Sequence, residues 1–338
     1  MKEALYYEKR HDGKVLCQLC PRGCIIAEGH EGLCGVRGNR GGVLYALTYG
    51  KIVSAAFDPI EKKPLNHFYP GSKTYSLGSI GCNMRCLHCQ NWQISHVSAI
   101  GVNGQLTDLS PEEAVFKAKA HNCRALVWTY NEPSIWIEYV LDSAKLAKQA
   151  GLQTVLVTSG MINPDPLQEL LKWTDAYRID IKGFSEDFYQ RLTGARVLNQ
   201  VLDNAKTAFN SGAHVEVVTN LIPNWNDSDE QLHGLASWIF ENLSADVPWH
   251  VTRYYPCYKM TEPATPILTL ERAREIGLNE GLKYVYVGNV PGHPAENTHC
   301  PDCGKVLIDR SGYMIVANHI HRGKCEYCGH ILRVYRSD

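Results

Sequence analysis

The sequence predicts an α/β fold, a parallel sheet covered by helices and curled into a partial (βα)6 barrel of the TIM type. Three observations predict it. Between residue 73 and about residue 290, short β-branched or apolar runs alternate with segments of helix length. The loops between them are short, which makes successive strands parallel and their crossovers right-handed. Helix-start and helix-stop chemistry recurs between the runs.

The strands fall at 74–80, 124–129, 153–158, 176–181, 214–220 and 249–254, with a last one at 283–287. Thr154-Val155-Leu156-Val157-Thr158 is typical of them. Ser110-Pro111-Glu112-Glu113 is a capping box with proline at the first helical position. Asn163-Pro164 and Asp227-Ser228-Asp229-Glu230 open two further helices, and Gly151, Gly212 and Gly281 stand where helices stop. Upstream, apolar and polar residues alternate over Val43-Leu44-Tyr45-Ala46-Leu47 and over Lys51-Ile52-Val53-Ser54-Ala55, with Gly50 between. This predicts a hairpin leading into the main domain. Asp58-Pro59-Ile60-Glu61-Lys62-Lys63-Pro64-Leu65 and Pro70-Gly71 read as turns. The domains expected are a Cys-rich segment with hairpin at 1–72, the barrel at 73–292 and a separate module at 293–338.

With 338 residues, 44% of them hydrophobic and 20% charged, a sizeable core is expected. The formal net charge of -1 leaves no electrostatic footprint for nucleic acid or an anionic membrane. No apolar run is long enough to span a bilayer, and Met1–Arg10 lacks the apolar region of a secretory signal, so a cytoplasmic protein is expected. Of the 13 cysteines, only Cys123 and Cys257 lie outside clusters. Clustered cysteines in a reducing compartment are metal ligands, not disulfides.

The cluster that organises the chain is Cys82-Asn83-Met84-Arg85-Cys86-Leu87-His88-Cys89, directly after the first barrel strand. C-x3-C-x2-C suits a loop around a cubane iron–sulfur cluster, and it supplies one thiolate fewer than the four such a cluster takes. An iron without a protein ligand is free to bind a substrate. The alternative is a zinc site of three cysteines completed by His88. Near the N-terminus, Cys17, Cys20, Cys24 and Cys34 lie within 18 residues among several glycines. One metal centre follows, and zinc or an auxiliary iron–sulfur cluster would both fit. Arg22 and Arg37 beside them read equally as surface charges. Cys300-x2-Cys303-Gly304 and Cys325-x2-Cys328-Gly329 are paired knuckles of a zinc ribbon, a frame that a rubredoxin-type iron also uses. Arg310-Ser311-Gly312-Tyr313 between them is a turn.

Three further stretches stand at strand ends, where a barrel gathers its catalytic groups. Thr129-Tyr130-Asn131-Glu132-Pro133 follows the second strand, Thr158-Ser159-Gly160 the third and Asp180-Ile181-Lys182 the fourth. Alternation puts Asp180 and Lys182 on one face. Opposite charges there pair with each other or with a zwitterionic ligand.

The C-x3-C-x2-C loop resembles that of the radical S-adenosylmethionine (SAM) superfamily. The resemblance implies a 4Fe-4S cluster on Cys82, Cys86 and Cys89 whose open iron chelates SAM and whose electron releases a 5′-deoxyadenosyl radical. It places His88 near the adenine, Asn131 and Glu132 with nearby carbonyls at the SAM ammonium, Ser159 in the place of an activase asparagine, Lys182 at the SAM carboxylate and Asp180 at its ribose or ammonium side. Asn220-Leu221-Ile222-Pro223-Asn224 matches the strand end near the adenine. In Tyr254-Tyr255-Pro256-Cys257-Tyr258, Cys257 stands for an activase tyrosine and Tyr258 for a histidine, which makes Cys257 a candidate catalytic thiol. His250 and Arg253 either face the ligand or cap a strand end. Cys17-x2-Cys20-Pro21, Asp58–Leu65, the trio, Thr129–Pro133, Val285-Tyr286-Val287-Gly288-Asn289 and the ribbon together resemble the radical SAM member of the AmmeMemoRadiSam system, similar to pyruvate formate-lyase activating enzymes. That implies an activase-like oxidoreductase, an electron donor such as flavodoxin or ferredoxin, and Memo-like and AMMECR1-like proteins as partners. The hydrogen donor is a side chain or small molecule, or else the glycine of a glycyl-radical enzyme. A scaffold holding only zinc is the non-enzymatic alternative.

Overall fold

The structure, a computed structural model, describes residues 1–102 and 106–334; the last four positions of the expected C-terminal module lie outside the described residues. Its centre is an eight-stranded sheet whose strands lie side by side in chain order. These are β1 (Ser54–Pro59), β2 (Lys73–Gly78), β3 (Ala125–Trp128), β4 (Gln153–Thr158), β5 (Ala176–Asp180), β6 (His214–Leu221), β7 (Trp249–Arg253) and β8 (Val285–Gly288). β1 pairs antiparallel with β2, and every later neighbour is parallel. Each run expected as a barrel strand is present, so the α/β class holds. Helices α1 (Pro111–Ala120), α2 (Ile137–Gln149), α3 (Pro164–Leu171), α4 (Glu186–Thr193), α5 (Leu198–Asn210), α6 (Asp229–Asn242) and α7 (Ile267–Asn279) lie between the strands. Ser110 caps α1 by accepting from the Glu113 N–H, and Ser228 caps α6 by accepting from that of Gln231.

The expected hairpin over 43–47 and 51–55 does not form. Val43–Ala46 pairs with Arg37–Arg40 and with Lys2–Glu3, Lys51–Ile52 pairs with Thr107–Asp108, and Ser54–Pro59 becomes β1. Alternation reports that a strand has a buried face, not which neighbour it pairs with. Gly50, at φ 69°, turns the chain, and its carbonyl accepts from Leu109 N–H instead of closing a hairpin. Asp58 and Pro59, read as a turn, end β1, and a short 3-10 helix follows at Ile60–Lys62. Arg37 is no surface charge: it is 1% exposed and ion-paired at 2.9 Å with Glu138, which also accepts from the Leu5 N–H. Cys123 is buried core, as expected.

Period-two alternation separates the two faces of the sheet. Leu126, Trp128, Leu156, Tyr177 and Ile179 belong to the large core shared with the helices. Ala125, Val127, Val155, Val157 and Ala176 instead pack with Ile60, Leu65 and Phe68 in a second cluster. Glu216, on β6, is fully buried and accepts from four donors: the backbone N–H groups of Asn66 and His67, and the rings of His214 and His250. His250 therefore binds a buried carboxylate instead of facing a ligand. Arg253, the other residue left open there, donates to the Thr265 carbonyl. The C-terminal module joins the buried network through Tyr286, whose hydroxyl meets both His67 and Thr298, and through Arg310, which donates to Thr298 and to the Asn66 carbonyl. No helix among the described residues is long and apolar enough to cross a membrane.

Burial opposes the charge on Glu216, but the hydrogen bonds from His214 and His250 outweigh it and hold the carboxyl well below the usual range. Burial likewise pushes His67 down to about 3 and His250 below its ordinary value. All three groups take up protons more readily unfolded than folded, so their stabilisation is complete above ~6.5 and drains away as pH falls through the ordinary histidine and glutamate ranges. Glu216→Gln should flatten the acid limb of a urea-stability profile against pH, and Glu216→Ala should cost roughly 3–5 kcal/mol at neutral pH.

Candidate active site

The cysteine loop leaves the end of β2 and is held from several sides. The N–H groups of Arg85 and Leu87 donate to the carbonyls of Thr193 and Leu192 at the C-terminal end of α4, and Lys259 N–H donates to the Leu87 carbonyl. Asn83 reaches the Met161 carbonyl at 2.6 Å. At the entrance, Gly81 has φ 84°, and a Cβ there would stand 2.5 Å from the Cys34 carbonyl oxygen, so only glycine fits. Asn131 accepts from the Ser79 N–H and donates to the carbonyls of Ile80 and Gly81. Its side chain thus secures the loop entrance.

The loop forms one wall of a cleft of about 380 Å³. Cys82, Cys86, His88 and Cys89 line it from the loop, and Asn131, Glu132, Ser159, Asp180, Lys182 and Asn220 line it from the sheet. The sheet residues sit at or just past the C-terminal ends of β3, β4, β5 and β6, where the sequence places the site. Burial raises all three thiols of the loop, so taking up a metal there must release protons. Burial, then the charge of Lys182, pushes His88 down to about 3, and its buried Nδ1 has no partner among the described residues.

Glu132 is fully engaged. It caps the short helix Pro133–Trp136 through the Ser134 N–H and accepts from the Thr158 hydroxyl and from both the N–H and hydroxyl of Ser159. Four donors match the lone-pair capacity of a carboxylate. Asp180 pairs with Lys182 at 3.2 Å and also with Arg178. Arg178 is the member that sequence reading missed, although the alternation joining Asp180 to Lys182 extends back to it. Burial pushes Arg178 down to about 10, so it remains a cation at neutral pH. Asn220 donates to Thr252, a further lining residue.

Two candidates lie outside the lining. Cys257 directs its thiol at the Cys89 carbonyl, 3.6 Å away, and so sits behind the loop. Tyr258 stacks on Trp92 with centroids 5.1 Å apart. The segment read as turns supplies more than turns: Lys62, Lys63 and Pro64 line the cleft, and Asp58 accepts from Lys63, Thr74, Ser76 and Tyr130. Tyr313, in the C-terminal turn, also reaches the cleft.

The other cysteines form two groups. Cys300, Cys303, Cys325 and Cys328 bring their sulfurs within 4.8 Å of one another, placed to take one metal ion. Cys17, Cys20, Cys24 and Cys34 line one small cavity together. Arg22 beside it is engaged with the active-site loop, donating to the carbonyls of Asn83 and Gly194.

Residues 77–236, which hold the loop and the wall opposite it, match the Radical SAM superfamily. That part of the chain, just under half of it, is a radical SAM region. An uncharacterized protein of Methanocaldococcus jannaschii is 45% identical over 332 residues, 97% of this chain and 98% of its own. Pyruvate formate-lyase 1-activating enzyme of Escherichia coli is 28% identical over 163 residues, which span 47% of this chain and 65% of that enzyme. A radical SAM methyltransferase from Sphaerobacter thermophilus shares the fold, with a TM-score of 0.51 at 16% identity over 71% of each chain. A region of the radical SAM superfamily implies a 4Fe-4S cluster, SAM and a reductant. The residues fit that pair: three thiols share a cleft with an unpartnered ring nitrogen and a row of two cations and one acid.

Asn131→Ala should strip three hydrogen bonds from the loop entrance and cost roughly 2 kcal/mol or more. Amide hydrogen exchange should then quicken at Ser79 before it quickens in the sheet; unchanged exchange at Ser79 would remove Asn131 from this role.

Proposed function

We propose that this chain is a radical SAM enzyme in which Cys82, Cys86 and Cys89 hold a 4Fe-4S cluster with one open iron and the row Arg178-Asp180-Lys182 receives SAM. The observation that carries this reading is that the three thiols and the charged row line one cleft. The bound pair supplies one-electron cleavage of the SAM sulfonium to a 5′-deoxyadenosyl radical, which takes a hydrogen atom from a side chain or a small molecule. In the row, two cations outnumber one acid, and the surplus charge suits the SAM carboxylate. Asp180 meets the ribose or ammonium side. Glu132, with its oxygens already occupied, fixes the Thr158-Ser159 wall and leaves the carbonyls around Asn131 to receive the ammonium. His88, kept neutral, borders the adenine together with Asn220. Cys257 acts on the loop from behind, and Tyr258 supports it through Trp92.

The remaining assignments follow the same reading. The open sheet is a partial (βα)6 barrel, the divisions fall at 1–72, 73–292 and 293–338, and the C-terminal thiols hold zinc in a ribbon. The enzyme works in the cytoplasm with flavodoxin or ferredoxin as donor and with Memo-like and AMMECR1-like partners, as the resemblance to the AmmeMemoRadiSam member implies. Similarity to the E. coli activating enzyme favours a second target, the glycine of a glycyl-radical enzyme. Tyr130 and Asn131, which stand where the resembled family carries the glycines of a Gly-Gly-Glu segment, and Cys257, which stands for a tyrosine, depart from the activase pattern and favour the first. A glycyl radical trapped on a partner by electron spin resonance would reverse that choice.

Anaerobically reconstituted protein with SAM and a strong reductant should release 5′-deoxyadenosine and methionine, and Cys86→Ala should abolish both. Release that survives in Cys86→Ala would end the assignment. Lys182→Ala should weaken SAM binding by about tenfold or more, equivalent to ~1.4 kcal/mol, with iron content unchanged. For the ribbon, Cys303→Ser should remove zinc and lower the thermal midpoint, because Arg310 and Tyr286 dock this module on the sheet.

A further inference from the structure

The cysteine-lined cavity near the N-terminus differs from the C-terminal site in its spacing. A tetrahedral zinc with Zn–S bonds of ~2.3 Å holds its thiolates ~3.8 Å apart. The C-terminal four already stand at that spacing, with Cys300 to Cys328 at 3.6 Å and Cys303 to Cys325 at 3.8 Å. Among the described residues, Cys17, Cys20, Cys24 and Cys34 share a cavity without reaching such closeness, and the same is true of Cys82, Cys86 and Cys89. The two open sets therefore resemble each other and differ from the closed one. A cubane spaces its ligands more widely than a single ion does, because each thiolate binds a different iron.

The rest of the cavity is built for an anion larger than a thiolate cage alone. Arg22 and Arg37 both line it, and each has a buried N–H group, on Nη2 and Nε respectively, that no atom of the described residues accepts. Zinc with four thiolates adds no acceptor beyond the cysteines, whereas an iron–sulfur cluster brings inorganic sulfides that accept such bonds. Gly32 keeps the space free: a Cβ there would stand 3.1 Å from the Ile26 side chain and 3.6 Å from the Cys24 sulfur. Leu19, Ile26 and Ile135 make the remaining wall apolar.

We propose that Cys17, Cys20, Cys24 and Cys34 hold a second iron–sulfur cluster, of the 4Fe-4S kind with every iron bound by the protein. No iron is left open, so this cluster does not bind SAM. It lies against the active-site loop: Asn83, next to Cys82, forms part of its wall, Arg22 donates to the Asn83 carbonyl, and Arg85 donates to the Leu33 carbonyl.

The test removes the other cluster. The full-length Cys82→Ala/Cys86→Ala/Cys89→Ala variant, reconstituted anaerobically with iron and sulfide, should carry about four irons and four sulfides per chain. Its reduced electron spin resonance signal should not change when SAM is added. Absence of iron and sulfide, with zinc in their place, would overturn the proposal, and a signal altered by SAM would overturn full ligation. If the variant does not fold, the unaltered chain decides: about eight irons and one zinc support the second cluster, and about four irons and two zincs refute it. Because the variant lacks the loop thiols, its result is independent of the activity assigned to them.

Discussion

A carboxylate buried on the inner face of a sheet must find its donors inside the protein, and the fold is arranged around meeting that demand at Glu216. Its oxygens take two backbone N–H groups from the segment after β1 and two imidazoles from β6 and β7. Stacking of His250 on Tyr286, and the bonds from Tyr286 to His67 and Thr298, carry the same network into the C-terminal module. One acid thus ties together the sheet, the strap that crosses its inner face and the module beside its last strand. A buried charge of this kind is costly without full satisfaction, which makes the arrangement specific to one packing.

With that end of the inner face fixed, the other end is free to carry function. Residues two apart on β6 divide between the two levels: Glu216 lies in the buried network, and Val218 and Asn220 line the cleft. Chemistry at the cleft is positioned by hydrogen bonds whose partners are mostly backbone. Asn131 and Asn83 hold the loop to its surroundings, and Glu132 holds the facing wall. The cysteine side chains themselves contribute little to that framework.

The sheet was legible in the sequence because buried parallel strands read as short apolar runs, and capping residues such as Ser110 and Ser228 mark the helices independently. The cysteine loop was legible because ligand spacing is local. What failed depended on long-range pairing. The alternation at 43–55 is real, yet its strands join four different partners, and nothing within the segment encodes those partners. Arg178 carried a local signal, one more step of the same alternation that joins Asp180 to Lys182. Arg37 and Glu138 are 101 positions apart, and no local pattern joins them. Tyr313 reaches the cleft from a module whose own pattern speaks only of metal.

Strand order in the sheet follows chain order, and the sheet does not close by pairing β8 with β1. Each parallel strand is added beside the one made just before it, so the sheet can assemble in the order of synthesis from contacts of modest sequence separation. The bonds of the strap are the exceptions, reaching from Asn66 and His67 to Glu216, from His67 to Tyr286 and, 244 positions apart, from Arg310 to Asn66. Until the module that carries Arg310 has emerged and docked, the Asn66 strap lacks this partner and the rim of β8 stands bare. Docking of this later-made module should accordingly be a slow step in maturation, taken after a nearly finished sheet is already in place.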